Sequence, residues 1–161
     1  MAISASSWTL TPEDELALRR GMERLLQESS AHSAMLVDRG GQLLAQAGER
    51  PAFDATTFAT LTAADFSAND QLARLLGETD FTSLFHQGER ESMLVADIAR
   101  RAILVVLFDA RTTLGLVRLR LRPAAEELTR IVEAMAARDA QGGAPRAILA
   151  GADDEIDRLF Q

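Results

Sequence analysis

The sequence predicts an α+β domain whose elements follow the order α-β-β-α-β-β-β-α. Three segments repeat apolar residues every three or four positions, which is typical of amphipathic helices. Five short apolar runs stand between turn residues, which is typical of strands. The chain has 161 residues, of which 47% are hydrophobic and 25% are charged. These values predict one packed domain with a short appendage.

The first helix and the hairpin after it have clear boundary signals. Thr11 is a predicted N-cap, followed by a proline and three acidic residues, and the helix is predicted to continue to about Ser29. Two apolar runs, Ala34–Val37 and Leu43–Ala47, then flank the Asp-Arg-Gly-Gly sequence of residues 38–41. Because glycine tolerates a positive φ, this sequence predicts a hairpin turn.

The second helix is predicted to begin after an Asp54 cap and to end near Gly77. Its expected buried stripe consists of Phe58, Leu61, Ala68, Leu72 and Leu75. Asp65 interrupts that stripe, so a bend is expected there. The opposite face is small and polar, with Thr60, Ala63, Ala64, Ser67, Asp70, Gln71 and Arg74. That face is either ordinary solvated helix surface or a flat docking face.

The second half of the chain predicts three strands and a long helix. The strands are Phe81–His86, Ser92–Ile98 and Ala102–Phe108, and the last is apolar on both faces, which predicts a central position in the sheet. Residues 112–138 keep a helical period, although Pro123 predicts a kink or a break. The arginines at positions 118, 120 and 122 then fall on a solvated helix face or, alternatively, form a site for anions or an acidic partner.

The chain divides into four predicted segments. Residues 1–10 are a flexible leader, residues 11–137 the domain, residues 138–151 a linker with glycine and proline, and residues 152–161 a short C-terminal helix. Ile156, Leu159 and Phe160 share one face of that helix. Because so short a helix is marginal alone in water, its apolar face is expected to dock on another protein or to fold back on its own domain.

The composition excludes several classes of function. All 17 basic residues are arginine and cysteine is absent, which excludes a P-loop lysine, Schiff-base chemistry and cysteine zinc sites. A net charge of -7 disfavours nucleic-acid binding. The longest apolar run is far shorter than the ~20 residues of a membrane helix, so we expect no membrane partner and a cytoplasmic location. His32 and His86 lack metal-ligand spacing.

A few residues nevertheless stand where enzymes often place functional groups. Asp38 lies beside a glycine turn, Asp109 follows an apolar strand, and His86 ends another. Turn, cap and structural hydrogen-bonding roles are the favoured interpretation, and a hydrolase using His86 and Asp109 is a remote alternative. Arginines 100, 101 and 111 are conceivable as arginine fingers. We expect no catalytic residue, metal or cofactor site in this chain.

Three segments carry a resemblance to a known family. They are FHQGERES (Phe85–Ser92), FDARTTLGLVRLRL (Phe108–Leu121) and DDEIDRLF (Asp153–Phe160). Together with the element order, they resemble the Roadblock (dynein light chain) family, and its bacterial MglB branch in particular. The resemblance covers the chain from about residue 12 to its last residue.

The resemblance implies a Roadblock-like three-layer α/β/α sandwich with a five-stranded antiparallel sheet. It also implies a homodimer in which the sheets join and the second helices lie side by side as a platform for one small Ras-like GTPase of the MglA type. Such a regulator promotes GTP hydrolysis by rearranging the catalytic residues of the GTPase, without supplying one itself. The setting implied is bacterial cell polarity and gliding motility, with clustering at a cell pole.

The resemblance assigns two sets of partner-binding residues. The GTPase platform would use Ala64, Ser67, Ala68 and Gln71. The C-terminal helix would contact the GTPase away from the platform and influence nucleotide exchange, through Asp153, Asp154, Ile156, Asp157, Leu159 and Phe160. The alternative function is a Roadblock scaffold that binds a GTPase or polarity protein without stimulating hydrolysis.

Overall fold

A computed structural model describes residues 9–142 of the protein. Its elements are α1 Pro12–Ser29, β1 Ser33–Asp38, β2 Leu43–Gly48, α2 Ala55–Leu75, β3 Ser83–Gln87, β4 Ser92–Ile98, β5 Ala102–Phe108 and α3 Leu114–Gly142. The predicted element order is confirmed. The predictions for residues 1–8, for most of the linker and for the C-terminal helix with Asp153, Asp154, Ile156, Asp157, Leu159 and Phe160 lie outside the described residues.

The five strands form one antiparallel sheet in the order β2-β1-β5-β4-β3. All residues of β1 and β5 are buried. A strand that is apolar on both faces needs cover above and below, which places it in the middle of a sheet. The predicted central position of β5 is therefore confirmed.

Helices cover both faces of this sheet, as the predicted three-layer fold requires. On one face, α1 and α3 pack together and enclose the larger core, to which β1, β4 and β5 contribute alternate residues such as Leu36, Leu94 and Leu104. On the other face, Phe66 of α2 packs into a smaller cluster with Met35 and Val105. The two faces are supplied by alternate residues because successive side chains of a strand point to opposite sides.

The hairpin and the helix caps follow their sequence signals. Thr11 and Asp14 form a reciprocal capping box, in which each side chain accepts from the backbone N–H of the other. In the β1–β2 turn, Asp38 is buried and its Oδ1 accepts from the N–H groups of Gly40 and Gln42, at 2.9 and 2.8 Å. Asp38 is thus a turn residue, as favoured from the sequence.

The long helix predicted around Pro123 is present, and of the two outcomes expected at the proline, a kink or a break, the break is absent. The helix continues from Leu114 to Gly142 with Pro123 inside it. Proline removes one helical hydrogen bond, and the carbonyl left without a donor belongs to residue 119, whose side chain is exposed, so water can reach that turn. Leu121, Ala124 and Leu128 are buried on either side of the proline. Their packing against α1 and the sheet offsets the cost of the lost bond.

The helix also extends past the predicted domain end at residue 137. Residues 138–142, which the sequence analysis assigned to the linker, form its last turn. Arg138 fastens this turn to α1, because its guanidinium donates to the Asp14 carboxylate and to the carbonyl of Thr9. The Arg138 hydrogen bond lowers the pKa of Asp14. Thr9 also donates its N–H to Asp139, so the end of the predicted leader is attached to the domain.

The helices in residues 9–142 include none with both the length and the apolar character required to cross a membrane.

We predict that Gly48→Ala lowers the free energy of unfolding by about 3 kcal/mol, measured by urea denaturation. Gly48 has φ +82°, and an added Cβ would stand 2.3 Å from the His32 carbonyl oxygen and 2.6 Å from Leu26 Cδ1. Gly77→Ala is the matched control, because Gly77 has φ +81° and open space around it. The control isolates the cost of the backbone conformation, about 1 kcal/mol. An equal decrease in the free energy of unfolding of the two variants would contradict the steric argument.

Candidate functional site

Helix α2 carries the residues that the resemblance assigns to partner binding. Its first turn is fixed by Asp54, whose side chain accepts from the Thr57 N–H at 3.0 Å and from the Thr57 hydroxyl at 2.5 Å, which confirms the predicted cap. These bonds lower the pKa of Asp54. The helix then runs as one element to Leu75, through Asp65.

The predicted buried stripe of α2 is wrong except at Phe58, which is partly buried against the smaller core cluster. Leu61, Leu72 and Leu75 are 64%, 56% and 84% exposed, and Ala68 is exposed as well. The residues buried against the sheet are Ala59, Thr62, Ala63, Phe66, Asn69 and Ala73. Both faces of this helix keep a helical period, and the face that meets the sheet is built from small residues around one phenylalanine.

The exposed face of α2 is an apolar band. Positions 61, 64, 68, 72 and 75 lie three or four residues apart and therefore line one side of the helix. We call these residues, Leu61, Ala64, Ala68, Leu72 and Leu75, the leucine stripe. A run of exposed large apolar side chains on one helix face is typical of an interaction surface. Leu76, just after the helix, is 74% exposed and extends the apolar surface.

The platform residues are brought together on this same side of the helix. Ala64, Ser67, Ala68 and Gln71 are all exposed and follow the spacing i, i+3, i+4, i+7. Ala64 and Ala68 belong to the leucine stripe, whereas Ser67 and Gln71 form its polar flank. The surface is flat because no member of the set except Gln71 has a long side chain.

Strand β3 presents a second feature without a partner in residues 9–142. It pairs with β4 alone and forms an edge of the sheet, so the backbone groups on its outer side have no strand beside them. His86 of β3 is 3.0 Å from the Asp65 carboxylate of α2, measured from Nε2 to Oδ2. This contact shows that the strand edge and α2 lie next to each other. His86 therefore has the structural hydrogen bond that the sequence analysis favoured.

An apolar cavity of about 720 Å³ opens between the start of α2 and the strands β3 and β4. Phe53, Phe58, Met93 and Leu107 line it, with His86 at its edge. Phe53 is 43% exposed, and its ring lies 4.6 Å from that of Phe58. Sequence reasoning missed this cavity, since its walls come from four segments that only the fold brings together.

Sequence reasoning also missed Arg39, which holds α2 in place. One guanidinium nitrogen lies 2.7 Å from Asp70 of α2, and another donates to Asp97 of β4. The guanidinium also lies over the ring of Phe66, 4.7 Å from its centroid. Arg39, Asp70 and Asp97 are each less than a third exposed. Arg39 lies in a tight turn, and nothing in the sequence around it indicates that its side chain contacts a helix and a second strand.

The two acidic residues considered for catalysis, Asp38 and Asp109, lie at opposite ends of the sheet. Asp38 lies opposite Ala102 at one end of the β1–β5 pair, while Asp109 follows β5 at the other end, near Ser33. Arg111 donates to both carboxylate oxygens of Asp109, and this lowers the pKa of Asp109 to about 2. A carboxyl group with such a pKa is ionised near neutral pH and cannot act as a general acid there. His86 contacts Asp65 instead of either acid.

A mixed cluster surrounds His32 at that second end of the sheet. His32 Nε2 lies 2.7 Å from Glu91, and donor atoms of His32, Glu91 and Asp109 fall within 4.8 Å of one another. Three such side chains can in principle hold a cation. The positive charge of Arg111, which is bonded to Asp109 and to Glu49 at 3.1 Å, opposes a cation at this position. The arrangement is a polar network that links the segments before β1 and β4 and after β2 and β5.

Of the arginines considered as fingers, Arg100 lies next to the platform, since it lines one pocket together with Ser67 of α2. Arg100 pairs with Asp80 at 2.9 Å, and Arg111 belongs to the His32 end of the sheet. Arg101 is exposed in the β4–β5 turn, where its carbonyl accepts from the Arg39 N–H. Arginines 118, 120 and 122 are all exposed on α3, which agrees with both interpretations of the sequence, a solvated helix face and a site for an acidic partner.

Comparison with known proteins identifies relatives of this fold. The profile of the Roadblock/LC7 domain matches residues 21–108. MglB from Myxococcus xanthus is 42% identical with a TM-score of 0.70, over 73% of this chain and 95% of that chain. The gliding protein MglB from Thermus thermophilus is 36% identical with a TM-score of 0.74, over 79% and 96%.

A further MglB structure, described as having a tetrameric arrangement, is 36% identical with a TM-score of 0.76 and covers 80% of this chain and 97% of that one. A Roadblock/LC7 domain from Streptomyces avermitilis, at 16% identity and a TM-score of 0.65, shares the fold. No curated protein sequence matches the chain at a significant level.

We predict that Arg39→Lys lowers the free energy of unfolding by about 2 kcal/mol, because an ammonium cannot bridge two carboxylates and lie flat on a ring. The measurement is urea denaturation at neutral pH. Arg101→Lys, an exposed arginine of the neighbouring turn, is the control and should change stability by less than about 0.5 kcal/mol. Indistinguishable midpoints for the two variants would show that the Arg39 contacts do not stabilise the fold.

Proposed function

This chain belongs to the Roadblock/LC7 family, and on that premise we propose that it is a homodimeric activator of a small Ras-like GTPase of the MglA type. The similarity to MglB proteins, which extends over almost the whole length of those chains, is the observation that carries the proposal. It supports a role as a Roadblock regulator in the gliding system. Activation of GTP hydrolysis is the specific activity that we propose.

The proposed homodimer rests on two features that lie side by side. The leucine stripe leaves large apolar side chains in water, and the outer edge of β3 leaves backbone groups without a strand partner. A two-fold axis beside β3 would pair each of these features with its own copy, as an isologous interface does. Burying leucines on both subunits would contribute about 25 cal/mol per Å² of apolar area removed from water.

The proposed GTPase platform is the polar flank of that dimer surface. If the leucine stripes pack against each other, Ser67 and Gln71 remain at the border of the interface, beside Ala64 and Ala68. Two such flanks would then form one continuous surface across the two helices. Small side chains there would allow the GTPase backbone to come close, so that contact with α2 can reposition its catalytic loops.

The proposed activator supplies no catalytic residue. In phosphoryl transfer most of the acceleration comes from positioning and from electrostatic stabilisation, so a partner can raise the rate by ordering groups that the GTPase already has. Arg111 is bonded to Asp109 and Glu49, and Arg100 pairs with Asp80, so both guanidinium groups already have carboxylate partners, which supports this mechanism over an arginine finger.

The C-terminal helix is proposed as a second contact with the GTPase. Its apolar residues Ile156, Leu159 and Phe160 would bind in a groove of the GTPase, and the aspartates at 153, 154 and 157 would add polar contacts. Binding away from the platform would allow this helix to influence nucleotide exchange. The alternative, a scaffold that binds the GTPase without activation, differs from this proposal in a single measurable property, the hydrolysis rate.

We predict that Leu61→Asp converts the dimer into monomers, measured by sedimentation velocity at micromolar concentration, because a carboxylate would be buried in the stripe. Leu119→Asp is the matched control: Leu61 and Leu119 are each 64% exposed, but Leu119 lies on α3. The control should remain dimeric. Dissociation of both variants, or of neither, would contradict the assignment of the interface to α2.

We predict that the wild-type protein accelerates single-turnover GTP hydrolysis by its MglA-type GTPase, and that Ser67→Arg abolishes both binding and acceleration. An arginine at position 67 would add bulk and charge to a flat surface, at a cost of ~2 kcal/mol or more. Glu23→Arg, on the exposed side of α1, is the control. Binding without acceleration by the wild type would reject the activator and leave the scaffold, and unchanged binding by Ser67→Arg would reject the platform.

A further inference from the structure

A groove runs along α3 on the face of the sheet opposite α2. It has a volume of about 960 Å³ and lies between α3 and the strands β3 and β4. Leu94, Leu121 and Ala125 form its floor, and Arg118, Arg122 and Arg130 form its rim. We call it the α3 groove. Leu119 adds an exposed apolar side chain at its edge.

The rim of the α3 groove is positively charged. Arg118, Arg122 and Arg130 have no carboxylate within ion-pair distance anywhere in residues 9–142. Of the two acidic residues in the lining, Asp97 is already neutralised by Arg39, which leaves Glu126. The groove therefore favours a ligand that is apolar on one side and acidic on the other.

The last part of this chain has that chemistry. Residues 153–160 read DDEIDRLF, with four carboxylates and a single arginine. In a helix, Ile156, Leu159 and Phe160 share one face because they are spaced i, i+3 and i+4. The apolar face would lie on Leu119 and Ala125, beside the buried Leu94 and Leu121, and the carboxylates would meet the arginine rim.

The intervening chain is long enough for this segment to reach the groove of its own subunit. Ten residues, 143–152, separate the end of α3 from Asp153. A flexible chain of that length has a root-mean-square span of about 17–19 Å and a fully extended span of about 33 Å. At ~1.5 Å per helical residue, Arg130 lies about 18 Å and Glu126 about 24 Å back along α3 from Gly142.

We infer that residues 153–160 bind the α3 groove of their own subunit as a short amphipathic helix when no partner is present. The tether raises the local concentration of the segment, so that weak contacts suffice for docking. The docking itself is independent of the proposed function. Its regulatory meaning rests on that function: a helix held in the groove is withheld from the GTPase, and the GTPase must compete for it.

Cross-linking in the full chain tests the docking, because the absence of cysteine allows introduced cysteines to react alone. One variant carries Thr129→Cys in the groove lining and Gln161→Cys after the docking segment. The matched variant carries Glu23→Cys with Gln161→Cys. Glu23 is exposed on α1 beside β2, at the other edge of the sheet. Its neighbour Arg24 pairs with Glu127 of α3 at 2.8 Å, which places Glu23 near the level of Thr129 along that helix. A short bis-maleimide joins the two thiols, and mass spectrometry follows the rate of intrachain product.

We expect the Thr129 pair to cross-link at least about fivefold faster than the Glu23 pair, since docking concentrates the segment at the groove. Two further changes should make the cross-linking rates of the Thr129 and Glu23 pairs equal: Leu159→Asp in the segment, or the double substitution Arg118→Glu with Arg122→Glu in the groove. A higher salt concentration should reduce the difference between the two cross-linking rates. Equal rates in the unmodified background would overturn the inference. So would product formed only between chains, which a mixture of the single-cysteine proteins reveals.

Adding the GTP-loaded GTPase separates this inference from the proposed function. Slower cross-linking of the Thr129 pair supports competition for the segment. An unchanged rate, with GTPase binding confirmed in the same sample, overturns the competition and the proposed role of the C-terminal helix while the docking stands.

Discussion

The structure depends on one constraint, which is that β1 and β5 are apolar on both faces and must be covered on both sides. Two helices can cover one face fully, and α1 and α3 do so by packing against each other as well as against the sheet. A single helix, α2, serves the other face and packs on β1, β4 and β5 through its small residues and Phe66. The unequal number of helices leaves the sheet incompletely covered near β3, where the apolar cavity opens.

The incomplete cover explains why α2 is apolar on two sides. Its inner face supplies the cover that one helix can give, and its outer leucines lie where a further layer would begin. A monomer of this shape keeps a large apolar area in water, which is unusual for a protein that acts alone.

Much of the fold could be predicted from local sequence patterns, and the predictions that were wrong have a physical cause. The cap of α1 at Thr11 and the turn at Asp38 depend on residues close in sequence, so they were predictable. The orientation of α2 was not, because a helical period gives the spacing of a stripe and does not say whether that stripe faces the sheet or the solvent. The helix continues through Pro123 because tertiary packing overrides the local rule that disfavours proline inside a helix.

The candidate site likewise contains features that the sequence predicts and features that it does not. Ala64, Ser67 and Gln71 were predicted on a small, polar, exposed face, and all three are exposed. Ala68 was instead expected to be buried and Ala63 to be exposed, and both predictions were wrong because alanine is common in cores as well as on surfaces. Arg39 was not foreseen, because it meets Asp70 and Asp97 only after the chain has folded. Contacts between residues so far apart in sequence leave no periodic trace in a single chain.

The position of Arg39 has a consequence for how α2 meets other proteins. The helix is joined by charge to a turn and to a neighbouring strand on its inner side, while its outer side stays free. Tilting or sliding it would expose partly buried charges, which is costly. The outer surface is thus preorganised, and a partner that binds it loses little affinity to the ordering of a mobile element.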